Sequence, residues 1–273
     1  MNDKVAFALP SLAHGGAQKV FLDLMVHLSS QGQDVHLICL DKEGELIEQI
    51  PSQIEVVYLS SAQSSQTVVL KRLQQWFGFR RWVEENDIGA VYSTITGMNL
   101  FVLSCFFFGR DVKLVIREAS SLENISSRLK LLAMRLLYRR ADKIICTSKY
   151  VQRQLSVLLG VTRKLVVIPN PINLSKIQLM AQERSEVTLP EFDGYTLVSV
   201  GRLIPAKGFD VLIQAFEQLK IRSRCRLLIV GEGPERPKLE RTIKDLGLVD
   251  HVSLLGYCEN PYSIMTIAHL YIL

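Results

Sequence analysis

Short apolar segments alternate with longer amphipathic segments along the whole chain, and this alternation constrains the fold most. In the first 170 residues we expect strands at Val5–Leu9, Val35–Leu40, Ile54–Leu59, Ala90–Ser93, Lys113–Arg117, Lys143–Thr147 and Leu165–Ile168. The intervals have the length and periodicity of helices, at Gly16–Gln31, Val68–Glu85, Met98–Phe108, Ile125–Arg140 and Lys149–Leu159. Apolar strands separated by helices predict a parallel, doubly wound α/β sheet.

The alternation is interrupted once and then resumes. Pro169-Asn170-Pro171 ends the first series, because two prolines in three residues stop a helix. We expect a Rossmann-like amino-terminal domain at 1–170, a linker at 171–194 and a second Rossmann-like domain at 195–273. The second series predicts strands at 195–200, 226–230, 252–255 and from 270, and helices at 207–220, 235–246 and 260–268. The sequence only enters the fourth strand of this second domain, so we expect that domain to be incomplete.

The loop after strand 195–200 is the first candidate site. It begins at Gly201, which permits a tight turn, and it contains two cations, Arg202 and Lys207. Ligands of open α/β sheets bind at the carboxyl ends of strands, where the next helix adds partial positive charge and free N–H groups. A phosphate is therefore the expected guest. The alternative is that both cations are solvated loop residues.

A second candidate loop precedes the first predicted helix. It reads Ala13-His14-Gly15-Gly16-Ala17. Paired glycines allow a ligand to approach the backbone and to meet the free N–H groups of a helix start. The alternatives are a plain turn at Gly15 and Gly16, and a solvent-facing side chain at His14.

A third loop, Gly231-Glu232-Gly233-Pro234, follows strand 226–230. It is similar to the dinucleotide fingerprint G-x-G-x-x-G, but Arg236 stands where the third glycine is required. That fingerprint also needs an acid after the next strand, where Leu255-Gly256-Tyr257 has none. The sequence therefore argues against a nicotinamide or flavin site.

An adjacent cation and acid, Arg117 and Glu118, end the fifth predicted strand. Their position at a carboxyl strand end favours contact with a substrate, through a carboxylate that accepts from hydroxyl groups and a guanidinium that binds anions. The alternative is a salt bridge between the two side chains.

These motifs resemble those of the retaining glycosyltransferases of family 4, which have the GT-B fold. GRLIPAKGFDVLIQAF is similar to their donor-site motif, and the Gly-Gly-Ala loop and VGEGP resemble two further loops of the family. The resemblance implies a donor site for a nucleotide-sugar formed by Gly15, Gly16, Gly201, Arg202, Lys207, Gly231, Gly256 and Tyr257. It further implies that Arg202 and Lys207 stabilise the leaving diphosphate, that Glu118 contacts the sugar, and that His14 and Arg117 face the acceptor.

The same resemblance implies transfer of a sugar, most simply from a UDP-sugar, to a lipid-linked or glycan acceptor in surface polysaccharide synthesis. No Asp-x-Asp motif is present, so we expect neither a metal nor another cofactor. The family has a Glu-x₇-Glu motif beyond the part present here, and we expect weak donor binding and little transfer without it. The alternatives are a non-catalytic remnant that binds nucleotide weakly and a nucleotide-sugar 2-epimerase with the same fold.

Charge is concentrated in the first part of the chain. Residues 1–170 contain 20 basic and 15 acidic residues, whereas residues 171–273 contain 12 of each. Lys71–Trp82 and Arg128–Arg140 combine cations with large apolar side chains, a pattern that favours an anionic membrane surface. The alternative is that the leucines face the sheet and the cations face water. No nucleic-acid motif appears, and we expect no nucleic-acid partner.

The five cysteines are scattered and form no C-x-x-C pair, which favours a reducing compartment over a disulfide framework or a zinc site. The apolar runs are too short for a signal peptide or a membrane span. We therefore expect a cytoplasmic protein, associated peripherally with the inner face of the cytoplasmic membrane.

Overall fold

The computed structural model describes residues 4–13, 15–60, 67–109, 111–125, 127–160, 162–184, 187–219 and 224–273. The chain divides into two compact units, Met1–Pro171 (unit 1) and Ile172–Leu273 (unit 2). Each unit is an α/β structure built on one parallel sheet.

Unit 1 alternates strand and helix as the sequence predicts. Its described strands are β1 Val5–Leu9, β2 Val35–Cys39, β3 Glu55–Tyr58, β4 Ala90–Thr94, β5 Lys113–Glu118, β6 Lys143–Cys146 and β7 Leu165–Val167. Its described helices are α1 Gly16–Ser30, α2 Val68–Glu85, α3 Thr96–Cys105, α4 Arg128–Leu137 and α5 Lys149–Leu159. The strands pair in parallel in the order β3-β2-β1-β4-β5-β6-β7.

Side chains of the strands alternate between two hydrophobic clusters, one on each face of the sheet. In β1, Ala6 and Ala8 belong to one cluster, and Phe7 and Leu9 belong to the other. Helices α2 to α5 contribute to the first cluster, whereas α1 contributes to the second. Apolar strands covered on both faces are what the uninterrupted apolar runs predicted. The α/β fold class with parallel sheets is therefore confirmed.

Unit 2 has the same plan on a smaller scale. Its described strands are β8 Tyr195–Val200, β9 Cys225–Val230, β10 Val252–Gly256 and β11 Leu270–Tyr271. Its described helices are α6 Leu174–Gln182, α7 Phe209–Glu217, α8 Arg236–Asp245 and α9 Pro261–Met265. The strands pair in parallel in the order β10-β9-β8-β11, so the loops after β8, β9 and β10 lie side by side at one edge.

Several predicted helices have other bounds in the structure, and two of them show why. The helix predicted at 207–220 begins only at Phe209, because a 3-10 turn at Pro205–Lys207 ends at Gly208, whose φ is 65°. The helix predicted at Ile125–Arg140 is reduced to α4, which Ser127 caps by accepting a hydrogen bond from the N–H of Lys130. Local turn and cap chemistry therefore overrode the helical periodicity at both places.

The stretch predicted as a linker, 171–194, contains helix α6, which belongs to unit 2. Asn173 caps the helix by accepting from the N–H of Lys176 at 2.9 Å. Asn260 ties its far end to α9, because Nδ2 donates to the carbonyl of Met180 at 2.6 Å and to Glu183 Oε2 at 2.9 Å. A side chain eighty residues away therefore holds a helix whose polar sequence predicted a linker.

Two further expectations concern the cysteines and the possibility of a membrane span. All five cysteines are free and buried. Burial raises the pKa of Cys39 to about 12, and the charge of Asp41 adds to this effect. Within the described part of the chain, no helix combines the length and the apolar character that crossing a membrane requires.

Candidate functional site

The three loops at the carboxyl edge of the unit 2 sheet are joined to one another by backbone hydrogen bonds. The N–H of Gly201 donates to the carbonyl of Val230 at 2.9 Å, and the N–H of Leu203 donates to the carbonyl of Glu232 at 2.9 Å. The N–H of Gly231 donates to the carbonyl of Gly256 at 2.7 Å. The loops after β8, β9 and β10 therefore form one connected platform.

Glycines make this close approach possible. Gly231 has a φ of 140°, and a Cβ atom there would lie 2.0 Å from the carbonyl oxygen of Gly201. At Gly233 a Cβ atom would lie 2.4 Å from the carbonyl oxygen of Leu203. Both distances are far shorter than a van der Waals contact. Glycine is therefore required at both positions for the loop after β9 to pack against the loop after β8.

The two predicted cations lie on this platform. Arg202 and Lys207 are both exposed, whereas Leu203 and Phe209 are buried and anchor the loop from below. A Cβ atom at Gly201 would lie 3.7 Å from Cδ and Cε of Lys207, so the stem of Lys207 lies close to the end of β8. The 3-10 turn at Pro205–Lys207 thus brings the second cation back toward the first.

Acidic side chains near the platform are paired with other cations. Glu232 binds Arg236, and Lys238 lies 3.1 Å from Glu235 Oε2 and 3.8 Å from Asp210 Oδ2. Among the residues that the structure describes, none places a carboxylate within ion-pair distance of Arg202 or Lys207. Two exposed positive charges therefore remain available to an anionic ligand.

Gly256 and Tyr257 complete the donor-side set predicted from the sequence. Gly256 has a φ of 84° and accepts the hydrogen bond from Gly231 that joins the second and third loops. Tyr257 follows directly and is 60% exposed, so its ring is accessible at the same edge. The structure brings together Gly201, Arg202, Lys207, Gly231, Gly256 and Tyr257.

In unit 1, the Gly-Gly loop forms the start of α1. Gly15 is the N-cap in an extended conformation, and Gly16 begins the helix. The Oε1 atom of Gln18 would lie 2.4 Å from a Cβ atom at Gly15, whereas the space around Gly16 is open. Access to the helix start is therefore greatest at Gly16. His14 lies outside the described residues.

Glu118 ends β5, and its side chain is fully buried. Its Oε1 atom accepts hydrogen bonds from Thr96 Oγ1 at 3.1 Å and from the N–H of Ser120 at 3.2 Å, while Oε2 accepts from Tyr138 Oη at 2.7 Å. This buried carboxylate already accepts three hydrogen bonds from groups of unit 1. It therefore does not fit the predicted contact with a sugar hydroxyl. We therefore assign Glu118 a supporting position.

Arg117 points away from Glu118, because consecutive residues of a strand face opposite sides of the sheet. The guanidinium donates to Thr94 Oγ1 at 3.0 Å and to Asn170 Oδ1, and only 6% of the residue is exposed. Burial lowers the pKa of Arg117, and the charge of Glu118 acts in the opposite direction. The alternative of a direct Arg117–Glu118 salt bridge does not fit this arrangement.

A cavity of about 270 Å³ lies beside Arg117 on the α1 face of the sheet. Most of its lining is apolar: Val20, Phe21, Leu24, Tyr92, Val115, Ile145, Ile168, Pro169 and Pro171. Arg117 is the charged member of this lining, and its partners Thr94 and Asn170 are neutral. A buried cation at an apolar cavity suits an anionic group that is attached to an apolar one.

The sequence interpretation missed the buried polar side chains that hold Arg117 and Glu118 in place. Tyr138 donates to Glu118, and Asn99 Nδ2 donates to the carbonyl of Arg117 at 3.0 Å. Burial, with the charge and hydrogen bond of Glu118, raises the pKa of Tyr138 well above its usual value. The available signal was Thr96 and Asn99, two polar residues in the first turn of the largely apolar helix α3.

The described residues include no group of three or more histidine, cysteine or acidic side chains placed to hold a metal ion. The fold and the site thus define an α/β protein of two units, whose second unit offers two cations to an anion at the ends of its strands.

Comparison with solved structures places this fold among known ones. The Anabaena protein Alr3699/HepE, solved in complex with UDP and glucose, matches with a TM-score of 0.77 and 21% identity, over 99% of this chain and 73% of that chain. The chain has the GT-B fold of glycosyltransferases.

Sequence comparison identifies the family. The family Glycosyltransferase Family 4 matches residues 14–176, and Glycosyl transferases group 1 matches residues 181–273. The chain belongs to glycosyltransferase family 4, as its motifs predicted.

Two curated relatives carry specific names. The N-acetylgalactosamine-N,N'-diacetylbacillosaminyl-diphospho-undecaprenol 4-alpha-N-acetylgalactosaminyltransferase of Campylobacter jejuni is 29% identical over 272 residues, which are 96% of this chain and 72% of that protein. The lipopolysaccharide core biosynthesis glycosyltransferase LpsD of Rhizobium meliloti is 28% identical over 136 residues, which are 50% of this chain and 38% of that protein.

Proposed function

We propose that this protein transfers a hexose unit from a UDP-sugar, with retention at the anomeric carbon, to a lipid-linked or glycan acceptor in surface polysaccharide synthesis. The observation that carries the proposal is the pair of exposed cations, Arg202 and Lys207, on a platform held by backbone hydrogen bonds. The UDP complex of the Anabaena structure supports UDP as the nucleotide. The Campylobacter relative, named for a diphospho-undecaprenol-linked substrate, supports a lipid-linked acceptor.

The cations act on the leaving group. The bond from the anomeric carbon to the β-phosphate oxygen breaks with its electron pair going to the phosphate. The acceptor oxygen forms the new bond on the same face of the sugar, and its proton passes to the departing phosphate. Positive charge fixed where negative charge develops lowers this barrier. Arg202 offers a planar fork to phosphate oxygens, and Lys207 offers a mobile point charge.

Unit 1 supplies the acceptor side in this proposal. Gly16, at the open start of α1, offers backbone N–H groups to a phosphate. Arg117 and its apolar cavity receive the anionic part of the acceptor. Because two cations already face the leaving group, the reaction needs no metal ion, and we expect transfer to continue in excess EDTA.

Thermal unfolding of the 273-residue chain, with and without millimolar UDP or GDP, tests the donor site. A ligand that binds the folded state raises the midpoint by mass action. We expect a modest rise with millimolar UDP, because the Glu-x₇-Glu motif of the family lies beyond these residues. R202Q should abolish the rise and R241Q should leave it intact, because Arg241 is an exposed arginine of α8 that is not among the predicted donor contacts. Equal midpoints with and without UDP would overturn the assignment of this site.

A product assay separates the chemistry from binding. Incubation with radiolabelled UDP-sugar and a polyprenyl-diphosphate-linked glycan acceptor should move the label to the lipid phase. Conversion of the donor to its 2-epimer, without any acceptor, would instead show the epimerase activity and contradict transfer.

A further inference from the structure

Helix α4 exposes a row of leucines. Leu129, Leu132 and Leu136 are 76%, 53% and 61% exposed, whereas Met134 is fully buried in the core of unit 1. The spacing of three and four residues places these leucines on one side of the helix. We call Leu129, Leu132 and Leu136 the leucine face. The alternative in which the leucines cover the sheet is therefore wrong for these three.

Cations flank the leucine face. Arg128 and Arg135 are exposed on the same helix, Lys130 is half-buried, and residues 128–140 contain no acid. In the described part of the chain, no carboxylate lies within ion-pair distance of these three side chains. An apolar row bordered by free positive charge has the pattern of a helix that lies in the interface of an anionic bilayer.

A neighbouring helix continues the apolar surface. On α2, Val69, Leu73 and Phe77 are 69%, 51% and 63% exposed, again at a spacing of four residues. Helices α2 and α4 both contact α3, which lies between them on the same face of the sheet. The exposed apolar surface is therefore shared by two helices rather than confined to one.

The position of both helices in the sheet links this surface to the site. In a parallel sheet every crossover helix begins at the carboxyl edge, where Arg117 and Gly16 also lie. Val69, Leu73 and Phe77 lie within the first ten residues of α2, whereas the leucine face begins at the second residue of α4 and continues to Leu136, one residue before the helix ends. Both surfaces therefore begin near the edge assigned to the acceptor and extend away from it along their helices.

We propose that the leucine face and the exposed side of α2 dock unit 1 onto a bilayer that contains anionic phospholipid. The leucines enter the boundary between headgroups and acyl chains, and Arg128, Lys130 and Arg135 bind lipid phosphates. The role of this docking surface rests on the proposed function, because docking would present the acceptor edge of unit 1 to a lipid-linked acceptor.

The test is flotation of the 273-residue chain with vesicles of phosphatidylglycerol and phosphatidylcholine, compared with phosphatidylcholine alone. We expect binding to the anionic vesicles. L129S/L132S/L136S should lower the partition coefficient at least about tenfold, because three leucines lose their apolar environment. R128Q/R135Q should lower it about 25-fold on anionic vesicles, since each basic residue contributes about 1 kcal/mol there.

Matched controls come from unit 2. V211S/V249S removes two exposed valines, 66% and 64% exposed, and R241Q/K244Q removes two exposed cations of α8. Both variants should bind vesicles like the unmodified chain. All four variants should keep the thermal midpoint, because the altered side chains are exposed.

Three results would overturn the docking surface. They are failure of the unmodified chain to bind anionic vesicles, full binding by L129S/L132S/L136S, and a dimer in light scattering that this variant converts to a monomer, which would make the face a subunit interface. Vesicle binding needs no catalysis. Variant-sensitive binding without a UDP shift or transfer would therefore uphold the surface and reject the proposed function.

Discussion

The two strand-end sites of this protein are built in opposite ways. On the platform of unit 2, backbone hydrogen bonds and glycines hold the loops, and the charged side chains Arg202 and Lys207 stay exposed. At the end of β5 in unit 1, the charged side chains Arg117 and Glu118 are buried and held by neutral hydrogen-bond partners. The first arrangement leaves two exposed charges for a ligand. In the second, hydrogen bonds fix both charges, so that Glu118 organises the interior of the unit and Arg117 lines an apolar cavity.

This contrast separates two kinds of mutational effect. Removing an exposed, unpaired cation should affect ligand binding and turnover with little change in stability. Removing a partner of the buried cluster should affect stability, because a buried polar group is left unsatisfied. Four predictions follow this comparison, in order of decreasing expected effect.

The largest effect is expected for R202Q. Loss of one preorganised donor to the leaving phosphate should lower kcat about 100-fold to 1,000-fold, with an unchanged thermal midpoint. Steady-state transfer from a UDP-sugar measures this change in a version of the chain that includes the family's Glu-x₇-Glu region, with R241Q as the charge-matched control. Turnover within a factor of three of the unmodified chain would show that the exposed cation is not part of the reaction.

The platform itself is tested by G231A. The new Cβ atom would lie 2.0 Å from the carbonyl of Gly201 at a φ of 140°, so unit 2 should lose more than about 3 kcal/mol of its free energy of unfolding, and UDP binding should disappear. G247A is the control, because Gly247 has a φ of 63° with open space around it and should cost only about 1–2 kcal/mol. Equal losses in denaturant titrations would refute the steric role.

The buried cluster of unit 1 is tested by Y138F. The change removes the hydroxyl that donates to Glu118 and should lower the free energy of unfolding by roughly 2 kcal/mol. Y150F is the matched control, because Tyr150 donates to Glu123 in an exposed pair and its loss should leave the free energy of unfolding essentially unchanged. If both variants unfold alike, burial does not distinguish the two pairs.

The smallest effect is the alkaline dependence of stability. The folded unit holds the Tyr138 proton more tightly than the unfolded chain, since burial and Glu118 raise the pKa of Tyr138 above its ordinary value of 10.0. This contribution is fully present below pH 10 and is lost as the pH rises through the folded pKa. Unfolding titrations above pH 10 should fall less steeply for Y138F than for the unmodified chain. If the free energy of unfolding depends on pH identically in both proteins, the pKa of Tyr138 is not raised by folding.

Much of this protein was determined by the sequence alone. The apolar runs and their spacing predicted the strands and most helices, because strands buried on both faces must be apolar throughout. GRLIPAKG also predicted two cations at a strand end, because glycine permits the tight turn and proline fixes the backbone of this loop locally. The resemblance to family 4 rested on such local motifs.

Only the tertiary structure decided how each charged side chain is used. Arg117 and Glu118 are adjacent in sequence, yet one lines an apolar cavity and the other accepts from Tyr138 on the opposite face of the sheet. Helix α6 likewise depends on Asn260, far along the chain. Burial and hydrogen-bond partners arise from residues brought together by folding, so no local pattern could distinguish a buried carboxylate from a catalytic one.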